Sequence, residues 1–263
     1  MTEGIRQEIN THINLLRSHS IEPDFKSIYD FPVYNNILVE DLHLIKKLFP
    51  QGSNILDFGC GRGTISYLLS NSGYNVTGID IGYEDLGSEF TSYVFSKEKQ
   101  KPLWDITAKA SKKNINFEFY AGLDMTLEDN SFDAVVAYAV LEHVADLSLT
   151  LNELHRVLKP GGPLFISRTP NKLSLLENMA QFLGFPAHEN TYSFKAMQSY
   201  LENSGFKVIS IELVDFFPSN LPTKFINNFY QSFSDALMKL ELLVRKTPIN
   251  KFSHHFRIVA QKI

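Results

Sequence analysis

Three glycines at alternate positions, Gly59, Gly61 and Gly63, stand between two carboxylates, Asp57 just ahead of them and Asp80 at the end of the next apolar run. Glycine lets a ligand approach main-chain N–H groups because no Cβ intrudes, and the helix that follows offers further unpaired N–H groups. A carboxylate placed where Asp80 lies can accept both hydroxyls of a ribose, so the pattern points to a nucleoside. Charge and spacing decide which one. The dinucleotide fingerprint G-x-G-x-x-G seats a pyrophosphate on the turn, whereas here the glycines alternate and the fingerprint's last position is Thr64. Asp57 would repel a phosphate and attract an ammonium. S-adenosylmethionine carries an α-ammonium and a sulfonium and no phosphate, so the turn suits it better than a nicotinamide dinucleotide.

The elements that must position these residues follow from periodicity. A short apolar strand ends at Phe58, a helix spans about Thr64 to Asn71 and is closed by Gly73, and a second strand runs from Asn75 to Asp80. This is a βαβ unit. Phe117, Phe119 and Ala121 alternate as a third strand with Asp124 and Met125 beyond its end, and Phe132 to Val140 is a fourth strand, apolar on both faces as a buried parallel strand must be. Leu147, Leu151, Leu154 and Leu158 mark a helix that Pro160-Gly161-Gly162 stops before a fifth strand, Pro163 to Ser167. Arg168 and Asn171 follow that strand and are expected to face the cleft above the strand ends. A helix from Leu173 to Leu183, a loop carrying His188, a helix from Ser193 to Asn203, and strands at Phe206–Val214 and Phe256–Gln261 complete the pattern. Between the last two strands a single helix is expected from Thr223 to Arg245, with Phe225, Phe229, Phe233, Leu237, Leu240 and Val244 on one stripe. Such a stripe is usually core, and less often a subunit contact or the border of an apolar pocket.

The stretches Ile55-Leu56-Asp57-Phe58-Gly59-Cys60-Gly61-Arg62-Gly63, Gly78-Ile79-Asp80, Ser131-Phe132-Asp133-Ala134-Val135-Val136, Val140-Leu141-Glu142-His143-Val144 and Leu158-Lys159-Pro160-Gly161-Gly162 occur in this order. In these pieces the chain resembles the class I S-adenosylmethionine-dependent methyltransferases, in the small-molecule branch related to quinone-biosynthesis enzymes. The resemblance covers roughly residues 50 to 170. It implies an α/β Rossmann-like doubly wound sheet of seven mostly parallel strands with an antiparallel last strand and helices on both faces. It implies S-adenosyl-L-methionine as cofactor, held by Asp57, Gly59, Cys60, Gly61, Asp80 and Ile81, with Asp124 and Met125 at the adenine and Tyr138 and His143 near the donor's methionine part. Asp124 could equally be a turn residue before Thr126.

Residues 1–50 form an N-terminal segment ahead of the domain spanning 51–263. Ile5, Ile9, Ile13 and Leu16 repeat at helical spacing, and an irregular stretch from Ser20 to Asn36 carries Tyr29 and Tyr34, which either close over a substrate as a lid or pin the N-terminus to the core. Insertions are expected at about 81–115 and 171–193. Composition excludes other classes of function. With 25 basic against 29 acidic residues and a net charge of −4, no overall positive field draws the chain to nucleic acid, and the one cysteine precludes an internal disulfide. The longest apolar run is too short to span a bilayer, which leaves a cytoplasmic location without integral membrane association as the expectation. Monomer and homodimer both remain open.

Methyl transfer from a sulfonium is an in-line displacement that needs alignment and exclusion of water, with a base only for a neutral acceptor. His143 and His188 are the candidate bases, and Tyr29, Tyr34, Arg168 and Asn171 the candidate acceptor contacts. No spacing in the sequence reads as a metal-ligand cluster, so a mechanism without bound metal is expected. Tyr138-Ala139-Val140-Leu141 stands where nucleobase and protein amine methylators carry an Asn-Pro-Pro-Tyr signature, which points to an O or C acceptor on a small molecule, with N less favoured. Two alternatives are an adenosyl-binding module without transfer activity that acts through a partner, and a nicotinamide-dependent oxidoreductase.

Overall fold

The computed structural model describes residues 2–20, 25–81, 97–120, 125–184, 188, 190–221 and 223–263. Seven strands form one sheet in the order β3-β2-β1-β4-β5-β7-β6. They are β1 (Asn54–Phe58), β2 (Asn75–Ile81), β3 (Ile115–Tyr120), β4 (Ala134–Tyr138), β5 (Pro163–Pro170), β6 (Phe206–Val214) and β7 (His255–Lys262). The first five pair in parallel with one another, and β7 runs antiparallel between β5 and β6. The order reverses between β1 and β4, so the loops after these two strands diverge and open a cleft at their carboxyl ends. The expected sheet, its antiparallel last strand included, is the one observed.

Successive residues of the central strands feed two separate cores, as the period of two requires. Ile55, Val136 and Phe165 face one side, with Ile9, Leu16, Leu38 and Leu69, from α1 (Thr2–His19), α2 (Pro32–Leu48) and α3 (Thr64–Asn71). Leu56, Val135 and Ile166 face the other, with Leu151 and Leu154 of α5 (Leu147–Val157) and Leu201 of α7 (Phe194–Asn203). Asp57 therefore projects toward α3, where Ser66 meets it.

Four sequence expectations are corrected. Tyr34 lies on α2, which starts at Pro32, and not in an irregular stretch; proline at the first helical position costs no hydrogen bond there. The run Lys97-Glu98-Lys99-Gln100-Lys101, expected as a solvated face or loop beside a crossover helix, opens α4 (Lys97–Ala110) and buries Gln100, while 82–96 lie outside the described residues. Strand β5 runs on through Arg168 to Pro170, across a register shift between Ser167 and Thr169 where Arg168 adopts φ +67°.

The fourth correction concerns the stripe from Phe225 to Val244. The expected single helix is two, α8 (Lys224–Gln231) and α9 (Ser234–Val244), and Phe225 and Phe229 are 84% and 66% exposed. The polar side faces inward, because it satisfies main-chain groups that would otherwise be orphaned. Asn227 accepts from Leu221 N–H, Gln231 accepts from Val33 N–H, and Glu241 accepts from Phe216 N–H. A helix from Leu175 to Phe182, α6, follows β5 and is capped by Ser174.

Candidate active site

The glycine loop is held from both sides. Gly59, Gly61 and Gly63 all take positive φ, at 71°, 52° and 83°, which no other residue type adopts at comparable cost. A Cβ at Gly59 would lie 2.2 Å from Val140, so the loops after β1 and β4 touch, while one at Gly61 would meet none of the described residues within 4 Å. The loop thus leaves space beside Gly61 on the side where a side chain would stand. The Gly61 N–H donates to Asp80 Oδ2 at 2.6 Å. Its carbonyl accepts from Gln100 Nε2 and Trp104 Nε1, both at 2.7 Å, and the Trp104 ring stacks on Phe117 and Phe119. The sequence assigned no role to Gln100 or Trp104. A lone tryptophan on the helix beyond an insertion was the signal, but nothing in its spacing shows that the helix folds back over the loop.

Two carboxylates flank that loop, and among the described residues neither is paired with a cation. Asp57 is buried and accepts from Ser66 Oγ at 2.5 Å; burial, opposed by that bond and reinforced by the charge of Asp80, pushes its carboxyl up to about 7. Burial likewise raises Asp80 to about 6, against the N–H groups of Gly61 and Ile81. The Cys60 thiol is buried and raised well above its ordinary value by burial and by both carboxylates, so it stays a thiol. Such a site destabilises its own negative charge until a cation arrives. A ligand with an ammonium and a sulfonium supplies one, and a ribose can meet Asp80, so the residues fit S-adenosylmethionine. Ile81 and Tyr138 end the flanking strands, Met125 is buried in the core on the α5 side, and Asp124 lies outside the described residues.

At the other end of the cleft, the Arg168 guanidinium is 2% exposed and every one of its nitrogens has a protein partner. Nε donates to the Tyr138 hydroxyl at 2.9 Å, one terminal nitrogen donates to the Tyr34 carbonyl at 3.0 Å, and the other lies 2.9 Å from Asp215. Tyr29 packs edge-on against Tyr34, and burial raises both phenols. Arg168 is a brace beneath the cleft rather than the cleft-facing contact expected, because β5 carries it into the sheet. Asn171 is also taken up by the fold: its Nδ2 donates to the carbonyls of Lys251 and Ser253 and its Oδ1 accepts from Leu173 N–H. Tyr34 is buried in the core that holds α1 and α3, with Tyr29 packed against it, and Asn171 was expected at the cleft because it follows the fifth strand.

The two candidate bases come together, with the rings of His143 and His188 6.1 Å apart. His143 is exposed and its imidazole is held below the usual range by burial of part of the ring and by His188. Next to it Glu142 is buried, burial raises it to about 7, and its Oε2 has no hydrogen-bond partner among the described residues. His188 Nδ1 lies 2.5 Å from Glu177 Oε1 and its main-chain N–H donates to Glu177 Oε2. His254 Nε2 approaches the same Oε1 at 2.9 Å, and His255 meets Asp215. Burial opposes ionisation of Glu177, but the two imidazoles outweigh it and hold the carboxyl below the usual carboxylate range. No local spacing joins His254 to Glu177 and His188, which lie far ahead of it in the chain; the adjacent pair His254-His255 ahead of the last strand was the available hint.

The family described as methyltransferase domain matches residues 36–211, more than half of the chain. The chain is 34% identical over 173 residues to the mitochondrial ubiquinone biosynthesis O-methyltransferase of Rattus norvegicus, a match covering 61% of this chain and 46% of that protein. It is 30% identical over 182 residues to the ubiquinone biosynthesis O-methyltransferase of Pseudomonas entomophila (strain L48), covering 66% and 68%. The chain thus spans from about half to two thirds of the length of these relatives. A crystal structure of a SAM-dependent methyltransferase from Methanosarcina mazei superimposes with a TM-score of 0.57 at 22% identity, over 84% of this chain and 97% of that one, a likeness of fold. No helix among the described residues is long and apolar enough to cross a membrane. The family match therefore agrees with the glycine loop and its two carboxylates, and the chain belongs to the methyltransferase-domain family, in its class I form whose methyl donor is S-adenosylmethionine.

Proposed function

We propose that this chain transfers a methyl group from S-adenosylmethionine to an oxygen of a small molecule, with a carbon acceptor as the second case. The observation that carries the reading is the glycine loop at Gly61, where an added Cβ would meet no described residue within 4 Å, set between Asp57 and Asp80, two carboxylates that burial raises. Relatives named as O-methyltransferases support oxygen over nitrogen.

When bound, the donor supplies an electrophilic methyl on a positively charged sulfur. The chain's own residues do the rest. Asp57 ionises against the ammonium, and Asp80 accepts from the ribose while keeping the Gly61 N–H. Asp124 and Met125, after β3, are the residues proposed for the adenine. Gln100 and Trp104 fix the loop from behind. Tyr29 and Tyr34, braced through Arg168, form an apolar wall that excludes water from the reacting line. His143, on the exposed rim, takes the acceptor proton; His188 is committed to Glu177.

Incubation with S-adenosylmethionine and a panel of phenols, catechols, alcohols, carbon acids and amines tests this. The expected result is release of S-adenosylhomocysteine together with an O-methylated product for at least one phenolic or catecholic acceptor. Donor binding with no product from any acceptor would leave the chain a binding module that acts through a partner.

A further inference from the structure

We propose that Glu177, His188 and His254 form a binding site for a divalent first-row transition ion, with Zn2+ foremost, at the acceptor end of the cleft. Each offers one donor atom, and the three atoms all lie within 4.8 Å of one another. Two imidazole nitrogens and one carboxylate oxygen are the donor set of open zinc sites and suit the later first-row ions; hard cations such as Mg2+ take oxygen ligands instead.

The geometry is close to what the ion requires. A tetrahedral ion with bonds of about 2.0–2.1 Å holds its donors roughly 3.3 Å apart. Here His188 Nδ1 and His254 Nε2 approach Glu177 Oε1 at 2.5 and 2.9 Å, so each distance opens by less than about 1 Å when an ion enters. His254 Nε2 is buried and lies 2.9 Å from that oxygen, yet has no hydrogen-bond partner among the described residues. An ion held between it and the carboxylate would give that nitrogen a partner.

The supporting residues hold the set in place. Ser174 caps α6 by accepting from Glu177 N–H, which fixes the residue at the first turn, and the N–H of His188 occupies Glu177 Oε2, so Oε1 is the oxygen turned toward both rings. Neighbours that orient ligands in this way are a regular part of metal sites. His188 is half-buried and lies beside the exposed His143, so the fourth position opens to the cleft and admits water or an acceptor oxygen. An oxygen there would lose its proton more readily.

The site does not depend on methyl transfer, and its test uses neither donor nor acceptor. Untagged, chelator-treated protein is titrated with ZnCl2 by calorimetry in the presence of millimolar MgCl2. One equivalent of Zn2+ is expected to bind, with Mg2+ failing to compete, and His188→Ala and His254→Ala are each expected to weaken it by at least about a hundredfold. Glu177→Gln, which keeps the shape of the side chain, should weaken it as well, and circular dichroism confirms that each variant is folded. No stoichiometric Zn2+ binding by the wild type, or binding that survives both histidine substitutions, would overturn the proposal.

Discussion

The N–H of Gly61 donates to Asp80 Oδ2 at 2.6 Å, so the tip of β2 and the loop after β1 grip each other across the donor end of the cleft. Replacing Asp80 removes that grip and the acceptor for a ribose together. Asp80→Ala is expected to weaken S-adenosylhomocysteine by about 1–3 kcal/mol, roughly five- to 150-fold, as measured by calorimetry. An unchanged affinity would place the ribose elsewhere.

Trp104 reaches the same loop from the opposite side. Trp104→Phe keeps a ring for stacking on Phe117 and Phe119 but removes the donor to the Gly61 carbonyl, leaving Gln100 alone there. A net loss of about 0.5–1.5 kcal/mol is expected, seen as a roughly two- to tenfold rise in the dissociation constant of S-adenosylhomocysteine. If Trp104 were only a core residue, the protein would melt earlier while the affinity of its folded form stayed the same.

The donor site should depend on pH. Burial raises Asp57 to about 7 and Asp80 to about 6 in the ligand-free protein, and both must be ionised to hold the donor. Affinity for S-adenosylmethionine is therefore expected to fall as pH drops from about 8 to about 5.5, with a shallower dependence in Asp57→Asn. The stability of the ligand-free fold runs the other way for this group. A carboxyl whose folded pKa is raised from 3.8 to about 7 favours the fold fully only below the lower value, and loses that contribution as pH rises through the higher one. Relative to Asp57→Asn, the free wild type should lose stability across that window, and urea unfolding at several pH values measures it.

Arg168 is the brace of the acceptor end. Its guanidinium lies 3.6 Å from the centroid of the Tyr34 ring and 2.9 Å from Asp215. Arg168→Ala leaves the Asp215 carboxylate buried without its guanidinium partner, and a loss of about 3–5 kcal/mol in unfolding free energy is expected from urea denaturation. A loss below about 1 kcal/mol would return Arg168 to the role of an acceptor contact.

Most of the sheet was legible in the sequence because parallel strands buried on both faces are short, apolar and punctuated by glycine and proline. The strand Phe206–Val214 was placed to the residue. The residues proposed to hold the donor have a geometry legible for a different reason: Asp57, the glycines and Asp80 lie within one βαβ unit, so local spacing reports how they are placed. The acceptor end draws on α2, β5, α6 and β7, and no local spacing connects Tyr34 to Arg168, or Glu177 to His254. The stripe of phenylalanines on α8 and α9 misled because periodicity tells which residues share a face, and not which face turns inward. Asn227, Gln231 and Glu241 decided that by pairing with main-chain groups of the neighbouring loop and of α2.

A calorimetric titration of the protein with S-adenosylhomocysteine, and in parallel with NADH, tests the central claim most directly. An adenosyl donor cradled by Gly61 between Asp57 and Asp80 predicts one equivalent of S-adenosylhomocysteine bound at micromolar affinity and no heat from NADH. Binding of NADH with none of S-adenosylhomocysteine would contradict it.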